Sequence, residues 1–288
     1  MTLKTVIPWP AKIAGKILLS RLPLGYEFWR RLSLFKHGEM TDPAYALDVF
    51  LRHFERLTPR RPEFVALEVG PGDSVASAVV AAAHGATQTI LVDVGPFARR
   101  DLALYRDLAE FLAGRGLRPP EVASAETFED LLDACSARYE TAGLASLREI
   151  PEGSVDFIWS HAVLEHVARS ELPSLARELR RIVRDDGICS HCIDLKDHLS
   201  GGLNNLRFPE RIWESSLFAD SGFYTNRMRV SGLRDTFASA GFDVDVVRAV
   251  RWGSVPLARP KLALEFRDLP EDDLLVSDVD FVLRPIVH

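Results

Sequence analysis

The stretch Phe64-Val-Ala-Leu-Glu-Val-Gly-Pro-Gly-Asp-Ser74 constrains the fold more than any other part of this 288-residue chain. Phe64 to Val69 is a short apolar run, the pattern of a buried strand. Gly70-Pro71-Gly72 then forces a sharp turn. Asp73 or Ser74 can cap a following helix, because their short side-chain oxygens accept the free N–H groups of a first turn. That helix is predicted over 74–84, rich in Ala and Val and stopped by Gly85. Thr89 to Val92 reads as a second buried strand, with Asp93 after it. Strand, glycine turn, helix, strand and acid make the first half of a nucleotide-binding α/β sheet. Gly70 and Gly72 admit a ligand close to the backbone. Asp93, 23 residues beyond Gly70, is placed to accept hydrogen bonds from a ribose diol.

Two neighbours narrow the ligand. A dinucleotide site asks for G-x-G-x-x-G/A, and Val75 at the third position would crowd the helix against strand and pyrophosphate. Glu68, two residues before Gly70, sits badly beside a pyrophosphate and well beside a cation. This acid-x-Gly-x-Gly stretch resembles motif I of class I methyltransferases. Their cofactor, S-adenosylmethionine, has a sulfonium, an ammonium and a ribose, and no phosphate. The resemblance implies cofactor-binding positions at Glu68, Gly70, Gly72, Asp73, Asp93 and Val94, with Asp93 in the place of the family's ribose-binding acid.

Later segments extend the resemblance over roughly residues 64–195. A helix is predicted over 98–112, another over 128–136, and a third strand over 139–142. The family often has an acid after that strand for the adenine amino group; Thr141-Ala-Gly-Leu-Ala-Ser146 has none, so adenine must be met by backbone or by another side chain. Residues 151–154 are a turn and Val155 to Trp159 a fourth strand, with a helix expected at once to carry Glu165 and His166. Ligands of open α/β sheets lie beyond the carboxyl ends of the strands, which puts Ser160 and His161 beside the cofactor. Leu164-Glu165-His166-Val167 is similar to the family's leucine-Glu-His-valine motif. Leu172 to Val183 reads as an amphipathic helix, Asp185-Asp186-Gly187 as a turn, and Ile188 to Leu195 as the fifth strand. A helix over 231–240, a sixth strand over 242–247 and an antiparallel seventh over 278–283 complete the expected Rossmann-like α/β fold: seven mostly parallel strands with helices on both faces.

Residues 199–230 interrupt this order where the family carries substrate-binding insertions. They hold Phe208, Trp213, Phe218, Phe223 and Tyr224 together with Arg207, Arg211, Arg227 and Arg229. The arginines suit a carboxylate or phosphate, the mixture suits a sugar or aromatic product, and a lid with surface ion pairs is the plainer account. Methyl transfer to oxygen is helped by a base within hydrogen-bond reach. The candidates are His198, just past the fifth strand, Asp194 to orient an imidazole or meet the acceptor, and His166; each histidine can also be a mere packing or loop residue. Cys189-Ser-His-Cys192 is a poor metal site, because strand alternation splits its members between faces. Some methyltransferases with Glu-x-x-Glu-His at this place bind a divalent ion, but Ala162 replaces the first Glu here, and no metal is expected.

The N-terminal 1–36 segment is basic and amphipathic. Lys4, Lys12, Lys16, Arg21, Arg30, Arg31 and Lys36 are opposed only by Glu27, and Ile7, Trp9, Ile13, Ile17, Leu18, Leu19, Leu24, Phe28 and Trp29 are interleaved. It reads as a helical lid on the domain or as a segment lying on an anionic membrane. Asp42 caps a helix running to Leu57, with Pro43 at its first position. The division is a helical extension over 1–60 and the catalytic domain over 61–288. A net charge of −6 argues against nucleic acid as partner. Three cysteines in so long a chain argue for a reducing, cytoplasmic compartment. No apolar run is long enough to span a membrane. The expected activity is S-adenosylmethionine-dependent O-methylation of a small molecule or glycan in a biosynthetic pathway. The rivals are a non-catalytic relative acting through a partner and a nicotinamide-dependent oxidoreductase.

Overall fold

The computed structural model describes residues 8–20, 40–59 and 61–287. Its centre is one seven-stranded sheet: β1 Phe64–Val69, β2 Ala86–Val92, β3 Ala137–Glu140, β4 Val155–His161, β5 Val183–Asp194, β6 Phe242–Arg251 and β7 Val276–Pro285. The spatial order is β3-β2-β1-β4-β5-β7-β6. The first five strands pair in parallel, and β7 runs antiparallel between β5 and β6. The chain moves outward from β1 to β3 and then returns to β4. The carboxyl ends of β1 and β4 therefore diverge and open a crevice.

Two apolar layers sandwich the sheet. On one face, α2 (Pro43–Phe54), α3 (Ala76–Ala83) and α4 (Leu102–Ala113) pack Phe50, Phe54, Val79, Val80, Tyr105 and Leu108 against Phe64, Ala66, Phe157 and Trp159. On the other, α7 (Leu172–Ile182) and α10 (Val230–Ser239) pack Leu175, Leu179, Leu233 and Phe237 against Leu67, Ile158, Cys189 and Phe281. The period-3.6 apolar stripe of α7 and the near-continuous apolar runs of β1 and β4 are what a doubly covered parallel sheet demands. Asp42 caps α2 by accepting from the Tyr45 N–H at 2.8 Å, with Pro43 at the first position as expected.

Several boundaries differ from the sequence reading. The helix after the glycine turn starts only at Ala76. Asp73 does not cap it, and Ser74 Oγ accepts from the Ala76 N–H at 3.1 Å just outside. β3 lies two residues earlier than expected, β5 starts at Val183 with 184–187 bulged out of register, and β6 and β7 are longer. Between β3 and β4 the short helix α6 (Leu144–Arg148) was not foreseen. The largest correction concerns Glu165 and His166. They sit in a turn, not a helix. The Asn226 amide clamps this turn by donating to the carbonyls of Leu164 (2.7 Å) and Val167 (3.0 Å).

The insertion after β5 forms the short helices α8 (Glu210–Trp213) and α9 (Ser216–Ala219) around a small core of Leu199, Trp213, Phe218, Phe223 and Tyr224. The helix α1 (Trp9–Ser20) docks there. Ile13 joins that core, and Lys12 Nζ donates to the Leu199 carbonyl at 2.8 Å. The described part of the N-terminal segment thus packs on the insertion. The rest of the basic segment, with Lys4, Arg21, Arg30, Arg31 and Lys36, lies outside the described residues. No described helix is long and apolar enough to cross a membrane.

Candidate active site

The crevice begins at the turn after β1. Gly70 and Gly72 have φ of +74° and +67°, a region open mainly to glycine. A Cβ at Gly70 would lie 2.6 Å from both Val163 methyl groups, so this floor has to be bare backbone. Asp93, at the carboxyl end of β2, braces the turn: its carboxylate accepts from the Gly72 N–H at 2.9 Å and the Val94 N–H at 2.7 Å. The next loop is pinned by Tyr139, whose hydroxyl accepts from the Phe97 N–H and donates to the Gly95 carbonyl, both at 3.0 Å.

Two cavities meet here. The wider, about 680 Å³, runs from Asp93 and Val94 past Leu144, Leu147 and Val163 to Tyr224 and Glu214 of the insertion. The smaller, about 290 Å³, lies over Glu68, Gly70 and Gly72 toward Tyr45 and His161. Gly70, Asp93, Val94, Val163 and His166 line both. Glu68, Gly70, Gly72, Asp93, Val94, His161 and His166 are thus brought together as the sequence suggested. Ser160 and Asp73 line neither. The Ser160 hydroxyl is fully buried and pairs with His191 Nδ1 at 2.8 Å. Asp73 is buried beside Tyr105.

Electrostatics shape the floor. Glu68 is buried, Ser77 donates to it, and burial pushes its carboxyl up to about 8, which favours the protonated form at neutral pH. Glu165 is equally buried and pushed up to about 8. Its Oε1 accepts from the Asp194 N–H at 3.3 Å, while its Oε2 has no hydrogen-bond partner among the described residues. His166 Nδ1 is 3.0 Å from the Tyr224 carbonyl. His198, past the end of β5, has its ring 4.8 Å from that of His166, and its Nε2 is 3.8 Å from Asp194 Oδ2. Burial works to raise Asp194, but His198 and Lys196 together hold it below the usual carboxylate range. His198 and Asp194 line neither cavity and stand behind His166. Glu165, His166 and His198 offer ligand atoms within 4.8 Å of one another, a group that could hold a metal ion.

Two of the insertion arginines, Arg227 and Arg229, are bound inside the fold. Arg229 is buried and donates to the carbonyls of Leu195, Asp273 and Val276, tying the insertion to the strands on either side. Arg227 donates to the Phe208 carbonyl at 2.6 Å and lies 5.3 Å over Trp213. Sequence reasoning missed His53 of α2, which meets His161 across the crevice wall, and also Val163 and Leu144. Only the apolar character of the last two hinted at a binding surface.

Residues 67–190 match the family model described as a methyltransferase domain. No curated protein matches the chain. Among solved structures, the YcgJ protein of Bacillus subtilis is 15% identical, with 85% of this chain and 100% of that one covered and a TM-score of 0.46. Phosphoethanolamine N-methyltransferase 2 of Haemonchus contortus, in complex with S-adenosyl-L-methionine, is 13% identical over 83% of this chain and 53% of that one, with a TM-score of 0.47. A SAM-dependent methyltransferase of Methanosarcina mazei is 12% identical over 79% and 95%, with a TM-score of 0.45.

Proposed function

We propose that this chain, whose residues 67–190 match the methyltransferase-domain model, is a class I S-adenosylmethionine-dependent methyltransferase that methylates a hydroxyl oxygen of a small molecule or glycan held beside His166. One observation carries the reading: the crevice floored by Gly70 and braced by Asp93 continues directly to His166 and the insertion.

The residues at the sheet edge fit this methyl donor. A bare-backbone floor at Gly70 leaves room that any Cβ would close. Asp93 holds the loop through both oxygens at the carboxyl end of β2, the place from which a carboxylate meets a ribose diol. Val92, Val94, Leu144 and Leu147 offer an apolar wall to adenine, which answers the missing acid after β3. Glu68, whose carboxyl burial raises, ionises when a cationic group approaches. When bound, S-adenosylmethionine supplies a methyl group on a sulfonium; the protein's part is then positioning, exclusion of water and handling of one proton.

His166 is the proton acceptor in this reading, in preference to His198. A carbonyl can only accept, so the Tyr224 contact places a proton on His166 Nδ1 and turns the Nε2 side of the ring to the proton-accepting role. The His198 ring lies 4.8 Å from it, with Asp194 beyond. The wider cavity also carries Glu171, Glu210, Glu214 and Asp220 against the one cation Arg169. That balance supports a neutral, hydroxyl-bearing acceptor over a phosphorylated one or a nucleic acid.

Calorimetric titration with S-adenosylhomocysteine tests the reading. We expect micromolar binding by the wild type. Asp93→Asn keeps an acceptor for the loop but loses the charge, and it should weaken binding by about 1–3 kcal/mol, the order for hydrogen bonds to a charged group. A wild type that does not bind would turn the assignment toward a non-catalytic relative acting through a partner.

A further inference from the structure

His161 closes β4, and the backbone immediately turns at Ala162, whose φ of +55° is rare for a side-chain-bearing residue. The Ala162 N–H is fixed in that turn by the Cys192 carbonyl at 2.8 Å. Strain of this kind persists where the surroundings over-determine it, commonly at functional sites. Its result here is that the His161 ring lines the smaller cavity while Nδ1 meets His53 Nε2 at 3.2 Å. The other nitrogen of His53, Nδ1, is 2.8 Å from Ser190 Oγ, and Arg56 Nη1 is 3.0 Å from the same oxygen. His53 and Ser190 are fully buried.

The direction of every bond in this chain follows from its far end. A guanidinium only donates, so Ser190 Oγ accepts from Arg56. Arg56 is itself held by Asp280 and cannot turn away without leaving that carboxylate. The Ser190 hydroxyl has one proton, and among the described residues its only recorded acceptor is His53 Nδ1. Were that nitrogen protonated, two donors would face the Ser190 oxygen and its proton would be buried unmade, which is the costly arrangement. His53 therefore carries its proton on Nε2 and gives it to His161 Nδ1. Burial, first of all, and the guanidiniums of Arg52 and Arg56 keep both rings neutral: His161 is lowered to about 4 and His53 is well below its ordinary value. A neutral imidazole has one N–H, so that of His161 is on Nε2.

We infer that the Arg56–Ser190–His53 relay makes His161 a fixed hydrogen-bond donor in the crevice, a binding residue for an oxygen of the bound ligand and not a proton acceptor. The ligand oxygen is a carboxylate or hydroxyl oxygen, from the cofactor's amino-acid end or from the acceptor. His53, Ser190 and Arg56 are positioning residues. His161 and His166 thus face the same crevice with opposite polarity, one giving and one taking a proton. The tautomer stands on the hydrogen bonds alone; what it binds rests on the function proposed above.

The full-length chain, labelled with ¹⁵N in its histidine rings, gives the answer by two-bond proton–nitrogen correlation at neutral pH. The His161 signal is identified by its loss in His161→Gln. The expected pattern in the unliganded wild type is the Nε2–H tautomer. An Nδ1–H tautomer or an imidazolium would overturn the inference, whether or not the cofactor binds. Ser190→Ala should let the Nδ1–H form appear at His161, and Ser190→Thr, which keeps the hydroxyl, should restore the wild-type pattern. An unchanged Ser190→Ala spectrum would remove the relay. Adding S-adenosylhomocysteine then separates the two ligands: a shifted Nε2 resonance assigns the bond to the cofactor's carboxylate, an unshifted one to the acceptor.

Discussion

Glu68 shows how a single buried group ties sequence, stability and ligand together. On β1 it is only 3% exposed, with the Ser77 hydroxyl as its donor. Burial raises its carboxyl from an ordinary 4.5 to about 8. Below the lower value both folded and unfolded chains hold the proton, and the site costs nothing. Between the two the unfolded chain ionises first, so stability falls as pH rises, and above the upper value the loss is complete. The cost is roughly 1.4 kcal/mol per unit of separation. Glu165 behaves in the same way. Glu68→Gln should therefore remove one of two such slopes. Its thermal midpoint, compared with wild type without ligand, should gain progressively from about pH 5 to about pH 8. Parallel midpoints over that range would show that Glu68 is already ionised in the empty fold.

At the scale of the element, the turn after β1 separates two consequences of one geometry. Gly70→Ala meets both a left-handed φ and the Val163 methyl groups at 2.6 Å. Gly116→Ala, after α4, meets a φ of +80° with nothing within 4 Å. Each should lose about 1–3 kcal/mol of stability from backbone strain. Only Gly70→Ala should also lose S-adenosylhomocysteine affinity, by tenfold or more; equal affinity in the two would mean that the crevice floor is not where the nucleoside lies. This turn was legible because its signals are local: an apolar run, two glycines and an acid at the end of the next strand. β3 slipped by two residues because Ala137-Arg-Tyr-Glu140 is an outer strand with little apolar patterning. The turn carrying Glu165 and His166 was misread because Asn226, some sixty positions on, holds its carbonyls. His53 escaped notice for the same reason, its partners lying 108 and 137 residues away. Arg227 and Arg229 suggested an anion site in sequence, yet they are spent on backbone carbonyls inside the fold.

Across the whole molecule, the helical extension and the insertion depend on one another. α1 offers Ile13 to the core of Leu199, Trp213, Phe218, Phe223 and Tyr224. Lys12 and Lys16 reach the carbonyls of Leu199 and His198, the segment that carries the imidazole behind His166. The floor at Gly70 and Asp93, by contrast, is built from β1, β2 and their turns, which α1 does not join. Ile13→Asp places a carboxylate where the side chain is 8% exposed. The helix should detach, because a buried unpaired charge is among the largest single-residue costs. The expected result is a red-shifted tryptophan emission as Trp213 becomes wet, with cofactor affinity within about twofold of wild type. Methyl transfer should fall, since the His198 segment loses its cover. Ile13→Leu is the control: it keeps apolar volume and should change neither emission nor transfer. A cofactor affinity that drops tenfold in Ile13→Asp would instead make α1 a wall of the cofactor site, and would move the acceptor entrance from the insertion to the smaller cavity above Tyr45 and His161.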